Sequence, residues 1–486
     1  MDANFVPKLP VCSDAQPKNG TSEPRRTNRA LSGKRLYRPA ALLLAACVIA
    51  VLLEALAAKA QSASAVTQLA VSANQRYLVD QRGEPFLLQG DAAWSIIVAL
   101  PDAGVEQYLK NRRDKGFNAI LVNLLEHKFA ANPPRDEAGD APFTTPGDFS
   151  TPNEKYFAHA DWVIRKAGEY GIEVLLAPVY LGYKGTDEGW IDELLKLEPE
   201  KCLAYGRFLG KRYKDFDNII WVMGGDRNPE GALEKVDLIA LGIKEFDQRH
   251  LFTAHGQGEN STVEQFGGDK WLNVNSTYTA EIVHRKLLAD YNRKPTMPFF
   301  LIETTYEGEH NASEVQIRRQ AYWSILCGGF GHVMGNNPIW HFDAPGLYPI
   351  NGTWQQAMDL PGSLGMMHWG DLFRSRPWFD LVPDQKHEVV TAGLGEFRGL
   401  DYLTAGRTPD GSTVVAYMPS RRTITVDMSK LSGVRAVGWW FDPRTGRVTT
   451  AGTFPTRGLQ ELTPPGDGDW VLVLDDAAKK RPAPGS

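Results

Sequence analysis

Asn218-Ile-Ile-Trp-Val-Met-Gly-Gly-Asp226 is the stretch from which the fold can be read. Ile219 to Met223 are apolar without a break, and a carboxylic acid stands just beyond them. Unbroken apolarity marks a strand covered on both faces, as in a parallel sheet lined by helices. In a parallel barrel, catalytic groups gather at the C-terminal ends of such strands.

Outward from this stretch, strand and helix alternate eight times after residue 65. The first turn is a hairpin, Arg76 to Val79 and Phe86 to Gln89, leading into Gly90-Asp91. Buried strands are expected at Ala119 to Leu124, Ile172 to Ala177, Asn218 to Met223 and Leu251 to Ala254. Trp271 to Val274, Phe299 to Ile302 and Phe330 to Met334 complete the set. Thr151-Pro152-Asn153-Glu154 reads as a capping box with Pro in the first helical position. Ser313 with Gln316 caps a second helix, closed by Gly328. Eight such units predict an α/β fold, one (β/α)8 TIM barrel over residues 66–371. A doubly wound sheet competes, but no Gly-rich phosphate turn follows any strand.

From residue 372 the texture changes to short β-rich runs separated by turn clusters such as Asp442-Pro443-Arg444-Thr445-Gly446. A small antiparallel β-sandwich is expected over 372–476, followed by a disordered tail, 477–486.

The chain of 486 residues is long enough for a barrel plus an appendage. A net charge of −5 gives no reason to expect nucleic acid as a partner. Residues 1–60 form a basic tail, an apolar stretch from Ala40 to Leu53 and an A-x-A-like site at Ala58-Lys59-Ala60. These are the parts of a signal peptide, and an uncleaved anchor is the alternative, so export to the periplasm or beyond is expected. Of the 4 Cys, Cys12 and Cys47 fall in this leader. Cys202 and Cys327 are expected on opposite sides of the barrel, too far apart to bridge, as two buried free thiols.

Four acids follow apolar runs: Asp91, Glu126, Asp226 and Glu303. Strands four and seven face each other across the barrel mouth, with axes on the order of 13 Å apart. Side chains reaching inward would leave Asp226 and Glu303 near the ~5–5.5 Å of retaining glycosidases. In that mechanism Asp226 protonates the leaving oxygen and Glu303 attacks the anomeric carbon. The bland alternative is that these acids cap helices or pair with Arg227 or Arg318. Asp91 is read as a sugar-hydroxyl ligand or, equally, a helix cap. Asn123, His127, Tyr180, Tyr278, Asn336, Trp340 and His341 fall near strand ends and are candidates to line the pocket. No zinc or other metal motif, nucleophile elbow or cofactor loop appears in the sequence, so no metal or cofactor is expected.

At these residues the chain resembles the apiosidase-like glycoside hydrolases, a family with a collagen-binding-type β-sandwich domain behind its catalytic domain. The resemblance is carried by Phe86-Leu-Leu-Gln-Gly-Asp-Ala-Ala-Trp94, Gly116-Phe-Asn-Ala-Ile-Leu-Val-Asn123, Asp148-Phe-Ser-Thr-Pro-Asn153, Asn218 to Asp226 and Leu301-Ile-Glu303. In the rear domain it rests on Trp440-Phe-Asp-Pro-Arg-Thr-Gly446 and Gly468-Asp-Trp-Val-Leu-Val-Leu474. It implies a retaining hydrolase of plant cell-wall side chains, with Asp226 as acid/base and Glu303 as nucleophile. Apiose from pectin, or another pentose, would be the sugar released. Trp94 and Tyr306, which stand in or beside the matching stretches, join the substrate-binding candidates. One stretch departs from the family's pattern: Asn273-Val-Asn-Ser-Thr-Tyr278 stands where many relatives carry Gln-Ser-Gly-His. The competing class is a surface protein that binds glycan or protein without catalysis. The expected partner is an oligo- or polysaccharide, with membrane contact only through the N-terminal segment.

Overall fold

The computed structural model describes residues 68–486, apart from Glu230 and the side chain of Thr186. The expected leader, with Cys12 and Cys47, lies outside the described residues.

Three two-residue strands, β1 (Ala70–Val71), β2 (Leu78–Val79) and β3 (Pro85–Phe86), form a small antiparallel sheet ahead of the barrel. The barrel strands are β4 (Leu88–Ala92), β5 (Ala119–Asn123), β6 (Glu173–Ala177), β7 (Ile219–Gly224) and β8 (Leu251–His255). After the short β9 (Asn260–Ser261) come β10 (Asn275–Tyr278), β11 (Phe299–Glu303) and β12 (Gly331–Met334). Neighbours run parallel from β4 to β8, and from β10 through β12 back to β4.

Between β8 and β10 the ring closes differently. Asn273 and Val274 donate backbone N–H groups to Phe252 O at 2.9 and 3.1 Å. The Asn273 carboxamide accepts from Phe252 N at 3.0 Å. Ser276 Oγ donates to Ala254 O at 2.5 Å. Side chains thus supply part of the pairing that a backbone ladder supplies elsewhere.

This seam corrects the expected sixth strand. Trp271 to Val274 only leads into it; the strand itself is the polar Asn275–Tyr278. Its polar groups are buried yet satisfied: Thr277 Oγ1 donates to Asp290 at 2.7 Å, and Asn275 Oδ1 accepts from Val263 N at 3.2 Å. A buried polar strand is stable once partnered, but apolar continuity does not reveal it. The helix Glu154–Glu169 also starts later than expected. Asn153 is its cap, accepting from Lys155 N, while Thr151 and Pro152 pair with the loop at Thr144 and Phe143. Ser313 caps the helix Glu314–Leu326, and Gly328 follows it at φ +92°.

The C-terminal domain is a sandwich of a six-stranded and a three-stranded antiparallel sheet, beginning at Val382 and ending with the strand Trp470–Asp476. The boundary expected after residue 371 falls inside the helix Pro361–Arg374, whose Trp369 donates to Ala321 O at 2.8 Å and whose Phe373 packs on Tyr322, both on the barrel helix Glu314–Leu326. Trp440 is buried between the sheets, with Val414, Leu472 and Leu474. The sandwich packs firmly on the barrel. Tyr322 stacks on Tyr417 with centroids 4.6 Å apart, and Arg318 makes two bonds to the Asp469 carboxylate at 2.8 and 2.9 Å. Residues 477–486, expected to fray, are held instead: Arg376 donates to Pro482 O, and Gly485 N to Ser375 Oγ. Cys202 and Cys327 are buried free thiols, their pKa values raised by burial, that of Cys202 to about 11.

Candidate active site

Three strand ends meet at the barrel mouth. Asp226 follows β7 through Gly224 and Gly225, Glu303 ends β11, and His255 ends β8. The two glycines serve the protein's own packing. Gly224 has φ +85°, and a Cβ there would lie 2.5 Å from His255 O; one on Gly225 would lie 2.5 Å from Leu181 N. Gly225 N donates to His255 O at 2.7 Å, tying the Asp226 turn to the next strand. A side chain at either position would break this seam.

His255 is the residue that sequence reading missed. It is buried, with Nε2 2.6 Å from Glu303 Oε2 and Nδ1 3.1 Å from Asp226 Oδ1. The first contact is a hydrogen bond. The second is close but misaligned, leaving both of its atoms without a well-formed bond. The bond between His255 Nε2 and Glu303 Oε2 needs a proton between its two heavy atoms, since facing lone pairs repel. Burial opposes the His255 imidazolium, but the charges of Asp226 and Glu303 outweigh it, and the pKa rises. A signal was present, since His255 directly follows the apolar run Leu251 to Ala254.

Aromatic rings enclose the trio. Tyr180 OH donates to Asp226 Oδ2 at 2.6 Å. Trp94 lies edge-on to His255 and tilted against Tyr180, both at 5.5 Å between centroids, and its Nε1 donates to Tyr306 OH at 3.1 Å. Tyr278 lies 5.2 Å from His255. This enclosure acts on Glu303. Burial and the neighbouring Asp226 charge push its pKa up to about 8, while the bond from His255 pulls it down.

Above the trio is a cavity of about 180 Å³. Asp226, Glu303, Trp94, Asn123, Tyr180, Tyr278, Tyr306 and Trp340 line it, as expected for a common pocket. Phe129, Tyr183, Glu309 and Tyr348 line it as well; they sit in loops, where no periodicity marks them.

Three expected sugar ligands are elsewhere. Asp91 is fully buried beneath the mouth, accepting from Tyr108 OH at 2.7 Å, with Arg112 at 3.4 Å. His127 bonds Asp187 O in the 3-10 turn Thr186–Glu188 and Glu193 in the helix Ile191–Lys196. Asn336 donates to Glu307 at 2.9 Å. Each side chain bonds a protein partner, and none of the three lines the cavity. Glu126 likewise accepts from Ser95, Asn123 and three successive backbone N–H groups, organising its loop. His341 bonds Asn337. Arg318, weighed above as a partner for the acids, is committed to Asp469.

Asp226, His255 and Glu303 are also the one group among the described residues with metal-ligand types close together, their ligand atoms within 4.8 Å of one another. The imidazole stands between the carboxylates and faces one with each nitrogen. A cation there would have to displace the proton of at least one link. The geometry is that of a proton-sharing carboxyl pair.

Residues 72–380 match the family model described as "Apiosidase-like, catalytic domain", and 382–475 match "Putative collagen-binding domain of a collagenase". A solved structure titled "Glycoside hydrolase" is 27% identical, with TM-score 0.75, covering 85% of this chain and 97% of its own. A glycoside hydrolase family 5 structure from Bacteroides vulgatus ATCC 8482 is 28% identical, with TM-score 0.76, covering 85% and 95%. Among proteins curated for function, none matches in sequence. With its paired carboxyls at the mouth of a (β/α)8 barrel and a family match across most of that barrel, the chain is a glycoside hydrolase and belongs to the apiosidase-like family.

Proposed function

We propose that the chain is an exported retaining glycoside hydrolase that removes sugars from the side chains of plant cell-wall or pectic glycans, apiose or another pentose among them. The observation that carries the reading is the spacing of the pair: Asp226 and Glu303 each offer an oxygen within 4.8 Å of the other's. Retaining enzymes hold their carboxyls ~5–5.5 Å apart, whereas inverting ones leave ~6.5–9.5 Å for a water molecule. The cavity of about 180 Å³ is smaller than the ~300–1,000 Å³ of drug-sized sites and suits a single sugar ring better than a length of polysaccharide.

In the first step Glu303 attacks the anomeric carbon and Asp226 gives its proton to the departing glycosidic oxygen. The sugar is left as an ester of Glu303. In the second, Asp226 takes a proton from water, which attacks the same carbon and frees Glu303. His255 supports the nucleophile by its bond to Glu303, which lowers the Glu303 pKa against the burial and the Asp226 charge that raise it. The basic tail and apolar stretch ahead of residue 61 support export. The mass of the mature protein recovered from the periplasm or medium tests that part.

The reaction itself is tested by incubating the protein from residue 61 onward with a panel of pectic and hemicellulosic glycans. Wild type should release a monosaccharide. Asp226→Asn and Glu303→Gln should not, and either variant keeping more than about a tenth of the activity would remove that residue from the mechanism.

A further inference from the structure

The loop after β11 carries two glutamates with opposite fates. Glu307 is consumed by the protein: one oxygen accepts from Asn336 Nδ2 at 2.9 Å, the other from Gly362 N at 2.8 Å. It does not line the cavity. Glu309 does, and it is 8% exposed. Its Oε1 accepts from Trp340 Nε1 at 3.0 Å. Among the described residues, no lysine or arginine pairs with it, and Trp340 is the side chain that bonds it.

A carboxylate in such a place is costly, because buried polar groups are normally satisfied and buried charges paired. Burial does push its pKa up to about 7, opposed by the Trp340 bond and reinforced by the charge of Asp226. Its second oxygen faces the cavity, where water or a bound ligand completes its hydrogen bonding. A sugar hydroxyl donates well to a carboxylate oxygen, and the Trp340 indole fixes which oxygen is free. The charge balance of the cavity points the same way. Asp226, Glu303 and Glu309 all line it, and no lysine or arginine does among the described residues. His310 is a lining residue too, and Lys184 stands exposed at the edge, its ammonium 4.5 Å from the centre of the Tyr183 ring.

Resting on the glycosidase reading above, we propose that Glu309, held by Trp340, reads hydroxyl groups of the sugar seated over Asp226 and Glu303, and makes the site take an uncharged sugar over a sugar acid. Like charges brought together in an enclosed site cost enough to exclude a uronate. Charge-assisted bonds to hydroxyls give the uncharged sugar its advantage.

The test uses wild type, Glu309→Gln and Trp340→Phe, with 4-nitrophenyl glycosides of apiose, arabinose, xylose, galactose and galacturonic acid. For the neutral glycoside that wild type cleaves best, Glu309→Gln should lose on the order of 10- to 100-fold in kcat/KM. Its preference for that glycoside over the galacturonide should narrow by at least about tenfold. Trp340→Phe should show a smaller loss in the same direction. A selectivity change is a readout that merely loosened packing would not give. Glu309→Gln within about threefold of wild type with unchanged selectivity would overturn the proposal, as would the galacturonide proving the best wild-type substrate. If no glycoside is cleaved, the same free sugars are titrated against tryptophan fluorescence of Glu303→Gln with and without Glu309→Gln. Weaker binding of a neutral sugar to the double variant then supports the proposal, and equal binding, or no binding of any neutral sugar, overturns it. Loss of selectivity in Glu309→Gln is separable from failure of the catalytic reading, which would show as turnover by Glu303→Gln.

Discussion

The imidazole Nε2 of His255 lies 2.6 Å from Glu303 Oε2, so the proposed nucleophile leans on β8, the strand that pairs with the acid's own β7. One ring thereby couples two carboxyls that must differ in charge for the reaction to run.

From that coupling, His255→Ala should lower kcat/KM on the order of 10²-fold while leaving the fold intact. The acidic and basic limbs of the pH–rate profile should move as well, because removal of the ring frees the two carboxyls to titrate directly against each other. A rate loss with an unmoved profile would reduce His255 to packing. The measurement is kcat/KM between pH 4 and 9.

Glu303 itself should cost the fold stability at high pH. Its folded pKa is raised to about 8 from an ordinary 4.5, so between those values the folded state binds more protons than the unfolded one. Its contribution is therefore present at low pH and is lost as pH rises toward 8. Glu303→Gln, which carries no charge, should melt a few degrees above wild type at pH 8 and show a smaller gain at pH 5. Equal shifts at the two pH values would contradict the burial argument.

The Arg318–Asp469 pair joins barrel to sandwich and is almost wholly buried. Removing one partner of such a pair costs about 3–5 kcal/mol, whereas replacing both with apolar groups costs far less. Asp469→Ala should therefore lower the thermal midpoint by roughly 5–10 °C. The double variant Arg318→Met/Asp469→Leu should recover much of that loss. An unchanged midpoint in Asp469→Ala would show that the domains stand independently.

Asp91 offers a negative control. With Tyr108 and Arg112 as its partners and no place on the cavity, Asp91→Asn should reduce stability while leaving KM within about threefold of wild type. A large rise in KM would restore it as a sugar ligand.

Much of this was legible in the sequence. Six of the eight barrel strands announced themselves as apolar runs, because a strand covered on both faces has little choice of residue. Asp226 and Glu303 were found because they directly follow such strands. The sixth strand was misplaced because Ser276 and Thr277 are buried through hydrogen bonds, not through apolarity. Asp91 and Asn336 were misread for the converse reason: a strand end fixes where a side chain begins, and not which partner it finds. Glu309 and Tyr348 were invisible because loops position them, and loop conformation has no period to read.

The central claim, that Asp226 and Glu303 act as a retaining pair, is tested most directly by the anomer first released from a cleaved glycoside, followed by proton NMR before mutarotation. The spacing predicts a product with the substrate's anomeric configuration; an inverted first product would contradict the account.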